Sequence, residues 1–598
     1  MPSSARTLVE DVLSRDMTRE IWSGNYDKAL PVSVGEFELS AVLPAVFYMF
    51  RFGRRRGAGN FVKAFGTPQG TPSQRRRSTT IGRVAAQLAN CDDLDAFDGE
   101  AERAVLGDLL LCFCLENVRR TQGREQQVQR VSPTHYMAAW IDLPESVANL
   151  RYVPEMLVAV LANQREGDHV TPSNPWDRAS HFPVGGDYES NVLLRAFSQG
   201  MDRRGGVRDD LASDRFDEGD ASVGLDQLLT VRLAQQLRNA PRKMRAAEGG
   251  GISNQRPIAE RAARDFSDDM RRFVRSYADV VPRHALVDML ESCIAVGLST
   301  ILTSTAELLL EWADTGDIRD RAEQTPAGLF VDCSDGVDRA LGSLAERSLD
   351  DSMRRMERIP VVLMVLRLLD YEACANRRIQ AQDVSTRPYA TEWLNLLGGV
   401  LHDRHPESDR LRYGIEHKLE KLTEKLDDDY PDVAEVLRDS YGQPNPVWRF
   451  AGGLMTLMGS KFLKHFREMV DSSFATGRPN GLATKRSTTR GAGMRRRRET
   501  RRVVFTDSVL DYLVHLHLLP GGNGGSSASL LSFIEFIRKR YGFHVDAAPP
   551  GMTISNEMLQ RNRAILERRL RDLGLLVGVN DAERMKRLRP RFERDGGL

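Results

Sequence analysis

A mainly α-helical, multi-domain protein is the fold class this sequence predicts, and three observations predict it. Apolar residues recur at three- and four-residue steps through 223–237, 285–312, 359–375 and 448–474. Strand-like stretches are few, with 328–332 one and 503–505 a second. The last stretch carries three helix patterns followed by a hairpin pattern.

At 598 residues the chain is too long for one core, and three or four domains are expected. Apolar content of 41% and charged content of 28% fit a globular protein rather than a disordered one. Six scattered cysteines (Cys91, Cys112, Cys114, Cys293, Cys333 and Cys374) form no C-x-x-C pair, which argues against a disulfide scaffold and a thiolate zinc site. No signal-peptide core opens the chain, and Asp288, Glu291 and Glu307 interrupt its most apolar stretch. A buried helix in a cytoplasmic protein is expected there, with no membrane contact.

Residues 1–165 read as a helical domain with basic loops. An apolar run over 37–52 leads into Arg54, Arg55 and Arg56, and a Pro/Gly loop carries Arg75, Arg76 and Arg77. These two clusters are a possible second phosphate-contacting patch or solvated loop tips. Residues 166–224, rich in Pro, Gly and Asp, are a loop-rich excursion or boundary. Residues 225–475 form a central helical domain, in which 416–426 reads as a short charged surface helix.

The net charge of +1 hides an asymmetry. Residues 476–502 carry ten basic residues and one acid, a net of +9; 503–598 carry fourteen and eleven, a net of +3; the remainder is therefore −11. Positive charge concentrated at one end points to an anionic partner for that end. Residues 476–502 contain almost no large apolar side chain and include Arg495, Arg496, Arg497 and Arg498. A basic linker, flexible when unbound, is expected.

Beyond it, Thr506 is positioned to cap a helix over 507–519, ended by Pro520-Gly521-Gly522. A second helix spans 529–541 and stops at Gly542. A third starts at the cap Ser555 and breaks at Gly574. An apolar strand, a turn at Asn580-Asp581 and a basic strand over 585–592 follow. Helix, helix, longer helix, hairpin is the order of a winged helix.

Leu566-x3-Leu570-x2-Leu573-Gly574-Leu575-Leu576 and the basic strand after it resemble the recognition helix and wing of bacterial winged-helix proteins. Loops between the helices are longer than in compact regulators of that kind. Met558, Ile565, Leu566, Leu570 and Leu573 would then form the buried stripe. Gln560, Arg561, Arg563, Arg568 and Arg571 would lie outward, where the resemblance implies contact with duplex DNA. Lys586, Arg587, Arg589 and Arg591 would lie on or near the wing and suit phosphate contacts, as would Arg495–Arg498. Glu567 and Asp572 interrupt that face. Protein docking is the alternative use of such a domain.

Chemistry has one candidate. In Leu329-Phe330-Val331-Asp332-Cys333-Ser334-Asp335-Gly336-Val337-Asp338-Arg339, a strand, tight loop and helix start would cradle an anion. Cys333 and Arg339 stand at the C-x5-R spacing of cysteine phosphatases, and Asp335 and Asp338 resemble the acidic loop residues of Sac-type phosphoinositide phosphatases. Against this, three aspartates would repel phosphate, Ala340 stands where Ser or Thr is usual, and Cys114 and Arg120 share the spacing. A Mg²⁺ site at Asp332, Asp335 and Asp338 and a capped strand-to-helix turn are the alternatives.

No P-loop, H-E-x-x-H, G-x-S-x-G or EF-hand pattern occurs. His402 and His405 fit an exposed turn better than a metal pair, and His515 and His517 point to different sides of a helix. Asp168, His169, His181 and Asp187 sit in the loop-rich excursion, where a divergent metal nuclease site would hide, but no spacing supports one. No cofactor or metal is predicted, and no catalytic residue is assigned.

The whole chain resembles the large, motif-poor accessory subunits of bacterial phage-defence operons, such as methylation-associated defence systems. That resemblance implies a DNA-binding or adaptor subunit of a multi-protein assembly that includes an ATPase and a methyltransferase. The expectation is a multi-domain helical body with a C-terminal winged-helix-like domain over 503–598.

Overall fold

The computed structural model describes residues 4–24, 26–52, 65, 67–69, 76–78, 80–90, 92–118, 127–131, 150–162, 181–183, 191–197, 229, 233, 251–253, 256–278, 280–380, 390–489, 497–519, 528–578 and 586–592. Helices dominate these residues. The N-terminal part holds α1 (Ala5–Leu13), α2 (Arg15–Ser23), α3 (Val42–Phe52), α4 (Ile81–Leu88), α5 (Glu100–Phe113), α6 (Val153–Ala162) and α7 (Val192–Ala196). Three short antiparallel pairs interleave with them: β1 (Thr67–Gln69) with β2 (Arg76–Ser78), β3 (Leu115–Val118) with β4 (Gln127–Val131), and β5 (His181–Pro183) with β6 (Gly251–Ser253).

The central part begins with α8 (Glu260–Tyr277) and α9 (Arg283–Thr315). The latter is apolar nearly all round, so it must be surrounded rather than laid on a surface. It packs against α8, and 89% of its most apolar window is buried inside the protein. Its hydroxyls bond within the helix: Thr300 and Thr303 donate to the carbonyls of Val296 and Ser299, each at 2.8 Å. Gly316, at φ 79°, ends it.

There follow β7 (Leu329–Phe330), α10 (Arg339–Met356), α11 (Ile359–Ala375), α12 (Arg377–Gln380) and α13 (Ala390–Leu401). Next come α14 (Ser408–Leu426), α15 (Pro431–Arg438), α16 (Pro446–Met458) and α17 (Ser460–Ser473). The charged segment 416–426 is the second half of α14, longer than expected, because Leu411, Ile415, Leu419, Leu422 and Leu426 bury one stripe along its whole length. The apolar pattern over 448–474 is divided at Gly459, whose φ of 72° separates α16 from α17.

The largest departure from expectation is at 476–502. In place of a flexible linker, β8 (Ala483–Thr489) and β9 (Arg497–Val503) pair antiparallel at seven positions, from Ala483↔Val503 to Thr489↔Arg497. Long-range partners supply what composition lacks. Arg501 reaches Asp471 at 2.8 Å, the Asp332 N–H donates to the Val503 carbonyl at 2.9 Å, and buried Arg502 lies 3.9 Å from Asp332. Arg495 and Arg496 lie outside the described residues.

The C-terminal part holds α18 (Asp507–His517), α19 (Leu530–Tyr541), β10 (Phe543–His544), α20 (Asn556–Asp572), β11 (Leu576–Val577) and β12 (Arg587–Leu588). Ser529 and Ser555 cap α19 and α20, and Gly542 (φ 75°) and Gly574 (φ 72°) follow their ends. Thr506 stands at the start of α18, but its hydroxyl donates to the Gly481 carbonyl instead of accepting from the helix. Strand β12 pairs with β11 (Leu576↔Leu588) and, on its other side, with Ser529 just before α19.

This C-terminal part is joined to the body by more than the chain. Strand β10 pairs parallel with β7, and Val504 bridges to Asp332. Arg540 forks onto buried Asp269 at 2.7 and 2.8 Å, and the Tyr541 hydroxyl donates to the same carboxylate at 2.5 Å. A contiguous apolar core runs from Val9 to Leu588.

Candidate nucleic-acid interface

The helix expected to read nucleic acid is seated by an asparagine. Along α20 the buried residues are Leu559, Asn562, Leu566 and Leu570, with Met558, Ile565 and Leu573 half-buried. Buried Asn562 accepts the Cys333 N–H at 3.0 Å. It donates to the carbonyls of Val331 at 2.9 Å and Val545 at 3.0 Å. Its carboxamide therefore fastens α20 to the segment after β7 and the segment after β10. Leu559 adds apolar contact with Phe330, Leu341 and Ala345.

Two turns further along the same face of α20, Arg569 donates to the carbonyls of Cys333 (3.2 Å) and Phe505 (2.8 Å) and pairs with Asp507 at 2.5 Å. The 332–338 loop is thus held between α20 and the foot of β9. A Cβ at Gly336 or Gly342 would fall 2.6 or 2.5 Å from the Arg502 guanidinium, so a side chain at either would displace it from the loop, and Gly336 also holds a φ of 81° that favours glycine.

These contacts decide the chemistry of the loop. A phosphate cradle needs free backbone N–H groups at the loop and helix start. Here the protein's own carboxylates take them. Asp332 accepts from the Ser334 and Gly336 amides at 2.9 and 3.0 Å and from the Ser334 hydroxyl at 2.6 Å. Asp338 caps α10, accepting from Ala340 and Leu341 at 2.9 and 3.3 Å, while Ser334 Oγ accepts the Asp338 N–H. The Cys333 thiol is fully buried, and burial beside Asp332 pushes it far above its usual range. Arg339 is exposed on the first residue of α10. This is the geometry of a capped strand-to-helix turn, not of a thiolate nucleophile facing an arginine-lined anion site. Asp335 is exposed in a left-handed conformation (φ 52°), and among the described residues no three His, Cys, Asp or Glu side chains gather as a metal site.

Of the residues expected on the outer face of α20, Gln560, Arg561, Arg568 and Arg571 are exposed and Arg563 is half-buried. Several are neutralised inside the protein. Arg561 pairs with Asp338 at 2.5 Å, Arg571 with Glu567 at 2.6 Å, and Arg568 loosely with Asp572 at 3.9 Å. On the hairpin, Lys586 pairs with Glu567 at 2.8 Å and Arg591 with Asp511 at 3.1 Å; Arg587, Arg589 and Arg591 are exposed at the surface. Glu567 thus ties the second hairpin strand to α20. Arg497 and Arg498 stand opposite Thr489 and Thr488 at the far end of the β8–β9 ribbon.

His515 and His517 do not form a pair. His515 is buried, its Nε2 accepting the N–H groups of Arg591 and Phe592 at 3.0 and 3.2 Å, and its Nδ1 bonded to the Asp511 carbonyl at 2.7 Å. His517 instead meets Ser532 at 3.1 Å, and burial lowers it to about 4. His405 accepts the Glu407 N–H through Nδ1 in a turn. Asp168, His169 and Asp187 lie outside the described residues, as do Arg54, Arg55, Arg56 and Arg75.

Fold and surface together define a mainly helical protein that presents a seated basic helix, a short hairpin and a strand ribbon at its positive end. The chain matches the family model for methylation-associated defense system protein MAD7 over residues 66–592 and belongs to that family. It is a defence-system protein, and membership of such a system implies a multi-protein assembly. Neither the curated proteins nor the solved structures give a match.

Proposed function

We propose that this chain is a non-enzymatic DNA-binding or adaptor subunit of a bacterial anti-phage assembly, working in the cytoplasm beside an ATPase and a methyltransferase. The observation that carries the reading is the joined arrangement of α20 and its hairpin. Helix, helix, helix and hairpin follow one another, with β12 bonded on both sides, as in a winged helix. Gln560, Arg568, Arg587 and Arg589 are exposed on these two linked elements. The β8–β9 ribbon adds Arg497 and Arg498, with Arg495 and Arg496 next in sequence.

Because acids inside the protein hold Arg561, Arg571, Lys586 and Arg591, phosphate contacts, from Arg587 and the ribbon arginines above all, contribute most of the affinity, and base reading little. Retention of duplex DNA by the intact protein at low salt tests the reading; its absence removes it.

Protein docking is the second reading. Val577, half exposed at the edge of the hairpin, favours it, as do the internally paired arginines. It predicts that charge reversal at Arg561 and Arg568 abolishes capture of a partner subunit and leaves DNA retention unchanged.

A further inference from the structure

Asp338 serves two elements at once. Its Oδ1 accepts from the first amides of α10, and its Oδ2 lies 2.5 Å from Arg561 on α20. The two partners are unequal in freedom. Asp338 is 8% exposed at the side chain, held by the helix cap, by the Ser334 hydroxyl on its own N–H and by the positive end of the α10 dipole. Arg561 is 54% exposed on a long flexible stem. The carboxylate stays where the fold puts it, and the guanidinium comes to it.

We infer that Asp338 is a built-in competitor for nucleic acid: a fixed carboxylate that holds Arg561 away from DNA phosphate. The inference rests on the DNA-binding reading above and assigns a regulatory contact within that same surface. Arg561 lies in the first half of α20, and in helix-turn-helix proteins the N-terminal residues of the recognition helix approach the bases. A phosphate can recruit Arg561 only by displacing Asp338. The bound duplex must therefore come close enough to outcompete a carboxylate already in contact, which disfavours loose, non-specific encounters. Whatever shifts the 332–338 loop away from α20, a partner subunit included, would release the arginine.

The test is Asp338→Asn in the full-length protein. Asparagine still accepts from the α10 amides, so the cap is kept while the charge is lost. Binding of a fluorescently labelled duplex is followed by anisotropy across a salt series. The expected result is tighter binding by roughly threefold to tenfold, with the log–log salt slope steeper by about 0.9, one added phosphate contact. In an Arg561→Ala background the same substitution should change nothing, since the masked side chain is gone. Wild-type binding equal to or tighter than that of Asp338→Asn overturns the inference and leaves the DNA-binding reading standing. If neither protein binds at low salt, both fall. A matching thermal melt of the two proteins excludes misfolding as the source of any difference.

Discussion

The Asn562 carboxamide accepts the backbone N–H of Cys333 at 3.0 Å across 229 residues of sequence. With its two donated bonds to Val331 and Val545, it makes the seat of α20 part of the protein body.

Replacing Asn562 with Leu should therefore be costly, although leucine is close in size. It strands one buried amide and two buried carbonyls, an expected loss of about 3 kcal/mol. Urea denaturation of the variant measures it. A loss below about 1 kcal/mol would mean that water or a neighbouring group takes over these bonds.

Two buried titrating groups set opposing slopes of stability with pH. Glu291, with Asn480 donating to it at 3.0 Å, is raised by burial from 4.5 to about 7. The folded protein thus holds a proton there that the unfolded chain has released, and stability falls as pH rises from about 4.5 to 7. His517 is lowered by burial from 6.5 to about 4. The unfolded chain takes up that proton first, and stability falls as pH drops from 6.5 to 4. Each contribution has a ceiling of about 3 kcal/mol. Glu291→Gln should leave the His517 slope exposed, raising the melting temperature from pH 5 to pH 6.5 relative to wild type. His517→Phe should do the reverse. Parallel curves for all three proteins would contradict the assignment.

Alkylation should sort the cysteines by burial. Cys112 and Cys374 are exposed, while Cys333 is buried with its thiol held protonated. Iodoacetamide followed by peptide mass spectrometry should label Cys112 readily in the native protein, Cys374 slowly because burial and Asp370 push its thiol up to about 11, and Cys333 only after unfolding. Rapid native labelling of Cys333 would revive the nucleophile that its surroundings now exclude.

The three C-terminal helices were legible in the sequence because their stops are local: Ser529 and Ser555 cap two of them, and Gly542 and Gly574 close them. The β8–β9 ribbon was not legible. Its Thr- and Arg-rich strands look like a solvated linker until Asp471 and Asp332, distant in sequence, supply partners for Arg501 and Arg502. Asn562 belongs to no motif and stands as one polar residue in an arginine-rich helix. Its signal was the spacing, since it falls on the 559–566–570 stripe, where a leucine would be expected. The three aspartates of the 332–338 loop argue against phosphate from composition alone. What sequence could not show is that Asp332 and Asp338 fill the cradle themselves.

The most direct test of the account is a salt titration of duplex DNA binding by the intact chain, compared with a variant carrying Arg495, Arg496, Arg497, Arg498 and Arg587 changed to Ala. The intact chain is required because residues 476–598 alone would lack Asn562's acceptor Val331 and Arg540's partner Asp269. The account predicts tight binding at low salt that weakens steeply as salt rises, with a slope shallower by about 0.9 for each phosphate contact the variant loses. Absence of binding at low salt, or identical slopes for the two proteins, would contradict it.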